Sequence, residues 1–356
     1  MRILFVYREF LNDNLFVHTL VKELKKRNHE VDSSVDNFWD NNKKYDIVNI
    51  QWPEEIFKYI IEKIDVVKLK NRIEDLKKQK TGILYTRHNS SPHFRNDNVL
   101  KLYHLVEQSA DGIIHMGKFS INEILETEPN IKSKNFLIPH HIYENTYNEN
   151  ISKEDARKKL NLPLEKFIIL SFGRFRDNSE LFMLLNAYLS LRIKDKYLLA
   201  PRMLNFSKKK SLLKNLIYSF INIFFKVYSI NSNNYDEIID NDLLPYYLAA
   251  SDVVFIQRKK ILNSGNLPLG FLFKKVVLGP NCGNVNEILF ETGNPIFEPN
   301  DNESIVKALE NSYKLYIENH GYDNYNYAIK NMGINFVVDK YEKAYLSVIA
   351  EIKLNK

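Results

Sequence analysis

The stretch RILFVYREFLNDNLFVHTLVKELKKRNHEV, residues 2–31, decides the fold. Its opening run, RILFVY, is almost continuously apolar, as a strand buried on both faces must be. Phe16, Leu20 and Leu24 then recur at four-residue steps with Lys22, Lys25 and Lys26 on the wet side, which predicts an amphipathic helix. Arg27-Asn28-His29 ends that helix and Val31 begins a second strand. The alternation continues outward through strand-like runs at 47–51, 83–86, 112–115 and 135–138, each preceded by helical spacing, so the sheet is parallel.

Pro139 and the polar stretch 144–150 interrupt the pattern and read as a linker. Ser152 and Asp155 start a capping-box helix that Pro163 prevents from continuing. Strands are then expected at 167–172, 197–200, 253–256, 275–278 and 295–297, with helical segments between them. The fold class is therefore α/β, with two doubly wound Rossmann-like domains facing across a cleft, at 1–145 and 146–334. A terminal helix at 335–356 carries Phe336, Val337, Tyr341 and Tyr345 on an apolar face suited to crossing back over both. A length of 356 residues agrees with two hydrophobic cores.

Composition, 44% hydrophobic and 26% charged, is that of a globular protein. The single cysteine, Cys282, excludes an internal disulfide framework and fits a reducing compartment. The apolar run at 3–7 is too short for a signal peptide or membrane span, so a cytoplasmic location is expected. A net charge of +6 suits anionic ligands or a phospholipid surface, and no nucleic-acid partner is expected. The segment 207–230 has no acidic residue and combines Lys208, Lys209, Lys210, Lys214 and Lys226 with Leu213, Ile217, Phe220, Ile223 and Phe224. Two readings stay open for it: peripheral docking on an anionic membrane surface, or a core-facing helix with solvated lysines.

Ligands of doubly wound domains bind beyond the carboxyl ends of the strands, so the loops there carry the chemistry. The loop 8–14 holds no glycine, so the phosphate fingerprint of nicotinamide and flavin enzymes is missing. After 83–86 comes Arg87-His88-Asn89-Ser90-Ser91-Pro92-His93, in which His88 is the best-placed base, with Asn89 and His93 beside it. In the second domain Gly173 permits close backbone approach, Arg174 offers a planar fork to phosphate, and Arg176 and Arg202 follow strands nearby. The run 256–266 carries Arg258, Lys259 and Lys260 into Asn263-Ser264-Gly265-Asn266, where backbone N–H groups at a helix start form an anion nest; a plain helix cap is the competing reading. No carboxylate pair or metal-ligand cluster argues for a metal ion.

These pieces resemble the GT-B fold of nucleotide-sugar glycosyltransferases, especially glycosyltransferase family 4 and the bacterial polysaccharide mannosyltransferases related to it. The resemblance is carried, in order, by Asp46-Ile47-Val48-Asn49-Ile50-Gln51-Trp52-Pro53, Tyr85-Thr86-Arg87-His88-Asn89, Ile138-Pro139-His140, Ser171-Phe172-Gly173-Arg174, and Ala249-Ala250-Ser251-Asp252-Val253-Val254 leading to Asn263-Ser264-Gly265. It implies that the first domain receives the acceptor, with His88, Asn89 and His93 on that side. The second domain then grips the donor, with Arg174 stabilising the departing diphosphate and Gly173, Arg176, Arg202, Lys259, Asn263, Ser264, Gly265 and Asn266 around it. Family 4 usually places two glutamates eight residues apart near this turn, and here those positions are Lys260 and Pro268. Retaining and inverting outcomes both stay open. The resemblance leans toward GDP-mannose as co-substrate, with no metal or other cofactor, and toward a lipid-linked or oligosaccharide acceptor in surface polysaccharide synthesis. The alternatives are a nucleotide-sugar epimerase of the same architecture and a non-catalytic nucleotide-sugar-binding protein.

Overall fold

The structure, a computed structural model, describes residues 1–8, 15–92, 96–204, 212–232 and 239–354, with the side chains of 212–218 excepted. Strand and helix alternate as β1 (Arg2–Val6), α1 (Leu15–Lys26), β2 (Glu30–Ser33), α2 (Val35–Trp39), β3 (Ile47–Ile50), α3 (Val66–Lys78), β4 (Gly82–Thr86), α4 (Asp97–Ser109), β5 (Gly112–His115), α5 (Lys118–Thr127) and β6 (Lys134–Leu137). The pattern restarts with α6 (Lys153–Lys159), β7 (Phe167–Leu170), α7 (Asn178–Ser190), β8 (Lys196–Leu199), α8 (Leu212–Val227), β9 (Ile230–Asn231), α9 (Leu244–Ala250) and β10 (Val253–Phe255). It closes with α10 (Asn266–Leu272), β11 (Val276–Pro280), α11 (Gly283–Glu291), β12 (Ile296–Phe297), α12 (Asn302–Ile317), α13 (Gly321–Met332) and α14 (Ile334–Leu354).

The chain divides into two units, Met1–Tyr143 with Asn331–Lys356, and Glu144–Lys330. In the first, six parallel strands lie in the order β2-β1-β3-β4-β5-β6. Both faces of this sheet are covered, and β1 shows how: Ile3 and Phe5 enter one core while Leu4 and Val6 enter the other. α14 belongs to this unit, where Val337, Tyr341 and Tyr345 are buried against α1 and the sheet and Phe336 is exposed. Gly82 marks how closely that helix approaches, because a Cβ there would stand 2.7 Å from Val348 Cγ1. Arg27, at the foot of α1, is paired with Asp339 and with Glu342 at 2.7 Å.

The second unit has its own six parallel strands in the order β12-β11-β10-β7-β8-β9. Asp252, buried just before β10, accepts the Ile168 N–H of β7 at 2.7 Å and the Arg157 guanidinium of α6 at 2.8 Å. The Ala249-Ala250-Ser251-Asp252 motif is thus a clamp between strand and helix. The short β9 and α2 are elements that periodicity does not announce, being two and five residues long.

Asp252→Ala leaves Arg157 buried without its counter-charge. The variant is expected to lose about 3–5 kcal/mol in the unfolding of this unit, read by urea titration.

Candidate active site

In each sheet the chain winds one way and then the other, and the two directions part between β1 and β3 and between β7 and β10. Loops leaving the carboxyl ends of strands diverge there and open a crevice. In the second unit the flanking loops are 171–177 and 256–265, which hold Gly173, Arg174, Arg176, Lys259, Asn263, Ser264 and Gly265; Arg202 follows the adjacent β8 and Asn266 begins α10. The structure thus brings the expected donor residues to one edge of one sheet.

The floor of this crevice is polar and open. Gln257 is 1% exposed, yet neither its carboxamide oxygen nor its nitrogen has a hydrogen-bond partner among the described residues, and the buried Ser171 Oγ has none either. A Cβ at Gly173 would stand 2.5 Å from Gln257 Nε2, so only glycine lets that amide lie against the backbone. Leaving such groups unbonded costs about 1–3 kcal/mol each. Above the floor, Glu180 accepts from Arg258 Nη1 at 2.6 Å and from the Arg176 N–H at 2.9 Å, tying the β10 loop to α7. Arg176 also donates to the Lys260 carbonyl at 3.0 Å. Burial lowers the Arg258 pKa; Glu180 opposes the shift, and the nearby positive charges of Arg176 and Arg202 add to it. Arg174 is exposed and has no ion-pair partner among the described residues.

The turn at 263–266 is more self-contained than an anion nest. The Asn266 N–H goes to Ser264 Oγ and the Leu267 N–H to the Ser264 carbonyl, both at 3.3 Å, and Pro268 has no N–H. Asn263 Oδ1 accepts from Asn284 Nδ2 at 2.7 Å, which holds the turn to the first turn of α11. Ser264 therefore engages two of the N–H groups at the start of α10, whose N-cap position is Gly265.

In the first unit, His88 follows β4 and Asn89 lies beside it, while His93 falls outside the described residues. The His88 ring stacks on Trp52 at 4.0 Å and meets the edge of Phe16 at 5.2 Å; His140 and His141 pack on the same Phe16 ring. A buried polar chain reaches it: Asn49 donates to Tyr345 Oη at 2.9 Å, and Gln51 Nε2 donates to Asn49 Oδ1 at 2.8 Å and to Thr86 Oγ1 at 3.2 Å. With its nitrogen so used, Gln51 turns its oxygen to His88 Nε2 at 3.1 Å. Nε2 thus carries the proton and Nδ1 is the acceptor nitrogen. Burial pushes the His88 pKa down to about 3, so the ring is neutral at physiological pH and serves as a hydrogen-bond acceptor rather than a strong base. No group of three or more His, Cys, Asp or Glu side chains that could hold a metal ion occurs among the described residues.

The sequence reading quotes Gln51, Trp52, Ser171 and Gln257 inside motifs without giving them a role, and passes over Glu180. Their partners follow only once strand order brings the neighbouring loops together.

No family model matches the chain, and no curated protein matches it in sequence. Solved structures do share its fold. A sucrose-phosphate synthase from Thermosynechococcus elongatus is 15% identical with a TM-score of 0.71, covering 98% of this chain and 99% of its own. A glycosyltransferase from Rickettsia africae is 16% identical with a TM-score of 0.69, covering 98% of each chain. Anabaena HepE in complex with UDP-glucose is 13% identical with a TM-score of 0.69, covering 98% and 100%. A putative UDP-N-acetylglucosamine 2-epimerase from Listeria monocytogenes shares the fold at 14% identity and a TM-score of 0.60, covering 98% and 97%. The two doubly wound units are those of the GT-B architecture.

Because His88 is held neutral, the unfolded chain binds its proton first as pH falls. The stability His88 permits is complete above about pH 6.5 and declines toward pH 3, by about 2 kcal/mol at pH 5. His88→Gln is expected to flatten the dependence of the urea midpoint between pH 7 and pH 4.

Proposed function

We propose that the chain is a glycosyltransferase that moves a hexose from a nucleotide-sugar donor to a hydroxyl of a lipid-linked or oligosaccharide acceptor. The observation that carries this reading is the edge beside β7 and β10, where Gln257 and Ser171 are buried without a side-chain hydrogen-bond partner among the described residues and Arg174, Arg176, Arg202 and Arg258 follow the neighbouring strands. Such a place is suited to a ligand with a diphosphate and several hydroxyls: arginine meets the phosphates, and the amide and hydroxyl meet the sugar or ribose. Arg174 is the group free to stabilise the departing diphosphate. His88 orients the reacting partner through Nδ1, and its low basicity places the weight of catalysis on leaving-group stabilisation. The charge is met by arginine and lysine without a metal ion. UDP-glucose, bound by HepE, and GDP-mannose, toward which the resemblance leans, are the first donors to test.

The epimerase reading is favoured by the Listeria neighbour and by two adjacent buried carboxyl groups in the first unit, Glu54 and Glu55, whose pKa values burial raises. Tyr103 donates to Glu54 at 2.9 Å and Arg8 is paired with Glu55 at 2.6 Å, so both are already engaged. Calorimetry and product analysis across UDP-, GDP- and ADP-sugars separate the readings. A transferase binds one donor and releases its nucleotide only with an acceptor, an epimerase converts one sugar nucleotide into another alone, and a binding protein does neither. Arg174→Ala is expected to weaken donor affinity about tenfold or more, and unchanged affinity refutes its role.

A cytoplasmic enzyme working on a lipid-linked acceptor in surface polysaccharide synthesis needs a peripheral hold on the membrane. No helix among the described residues is long and apolar enough to cross one. α8 is suited to lying on it: Phe225 enters the core, while Phe220, Ile223 and Val227 are 72%, 61% and 71% exposed on another face. Lys208, Lys209 and Lys210, which would add the charge, lie outside the described residues. Replacing Phe220, Ile223 and Val227 by Ser is expected to abolish co-sedimentation with phosphatidylglycerol vesicles; retained binding would refute this face as the membrane contact and favour the reading of a core-facing helix with solvated lysines.

A further inference from the structure

A cavity of about 400 Å³ opens in the first unit at the carboxyl ends of β1 and β2, a size that accommodates small-molecule ligands. Its floor is apolar, formed by Tyr7, Val17, Val21 and Val31. One wall is α1, where His18, Lys22 and Lys25 stand at steps of four and three residues and so share a face of the helix. Neither lysine has a carboxylate within ion-pairing distance among the described residues, whereas Lys26 beside them is paired with Glu23 at 2.8 Å.

Two other charged groups of the lining are engaged: Arg8 is paired with Glu55, and Asp32 accepts from Tyr45 Oη at 2.6 Å and Asn37 Nδ2 at 3.4 Å. Lys22 and Lys25 have no such partner among the described residues and stand beside the apolar part of the lining. Tyr7 of the lining packs on Trp52 at 5.8 Å, and Trp52 in turn stacks on His88.

We propose that this cavity binds a phosphate-bearing group of the acceptor, with the phosphate between Lys22 and Lys25 and the uncharged part on the Tyr7 and Val21 floor. Calling the ligand an acceptor rests on the glycosyltransferase reading; the phosphate site itself does not. A phosphate can come from a soluble sugar phosphate or from a polyprenyl phosphate in a bilayer, and both present the same phosphate monoester to the lysines.

The test titrates the full-length protein at 0.15 M ionic strength, where surface charge is largely screened, with glucose 6-phosphate and with glucose. A parallel arm uses phosphatidylcholine vesicles with and without polyprenyl phosphate. Binding is expected for one phosphorylated probe and not for its unphosphorylated control, and which probe binds distinguishes the soluble from the lipid source. Lys22→Ala/Lys25→Ala is expected to weaken it about tenfold or more, with Lys22→Arg/Lys25→Arg retaining it. Both lysines are exposed, and an unchanged circular-dichroism melt shows that the variants fold. Equal binding of glucose, no binding of either phosphate, or undiminished binding in the alanine variant overturns the proposal. Donor titrations on the same variant keep the two ideas apart: lost phosphate binding with retained nucleotide-sugar binding supports the cavity, and retained phosphate binding with no donor bound anywhere sinks the transferase reading alone.

Discussion

Parallel pairing is the constraint on which the rest depends. Parallel strands run in one direction, are covered on both faces and are joined by crossovers, so every loop that leaves a carboxyl end emerges on the same edge. Only where the winding reverses do adjacent loops part. In the first unit this happens between β1 and β3, where Tyr7, Gln51 and Trp52 emerge; in the second it happens between β7 and β10, where Gly173 and Gln257 emerge. Residues far apart in the chain meet at these gaps because the ladder leaves no other edge for them.

The two crevices handle polarity in opposite ways. Around His88 the groups are satisfied in series, from Tyr345 on α14 through Asn49 and Gln51 to the imidazole, and this chain together with Trp52 and Phe16 holds a neutral ring in one tautomer. A closed network of this kind keeps a side chain in place through cooperative bonds. Beside β10 the network is incomplete: Gln257 and Ser171 are buried with no hydrogen-bond partner among the described residues, and the surrounding charge is predominantly positive. An incomplete network in a cationic setting is stabilised by what binds to it.

The elements that were legible in the sequence are those whose cause is local. Phe16, Leu20 and Leu24 announce α1 because burial on one face of a helix imposes a 3.6-residue period, and the runs at β1, β4, β5 and β10 announce buried strands because a sheet covered on both faces tolerates few polar residues. Gly173, Arg174 and His88 were visible as candidates because a polar group directly after an apolar run must stand at a strand end. The Ser264 turn was read from the sequence as an anion nest with a plain helix cap as the competitor, and the structure adds that Ser264 bonds the Asn266 and Leu267 N–H groups.

The sequence by itself determined the two α/β units, the strand ends and therefore the edge on which chemistry sits, since periodicity and chain direction are properties of neighbouring residues. Only the tertiary structure decided that α14 belongs with the first sheet, that Gln51 sets the His88 tautomer, that Asp252 is a clamp, and that Gln257 lies unbonded against Gly173. The physical reason is that strand order is a long-range fact: β10 pairs with β7 across more than eighty intervening residues, and no local pattern records which strand a given strand will choose. Burial of a polar group and the identity of its partner follow from that choice.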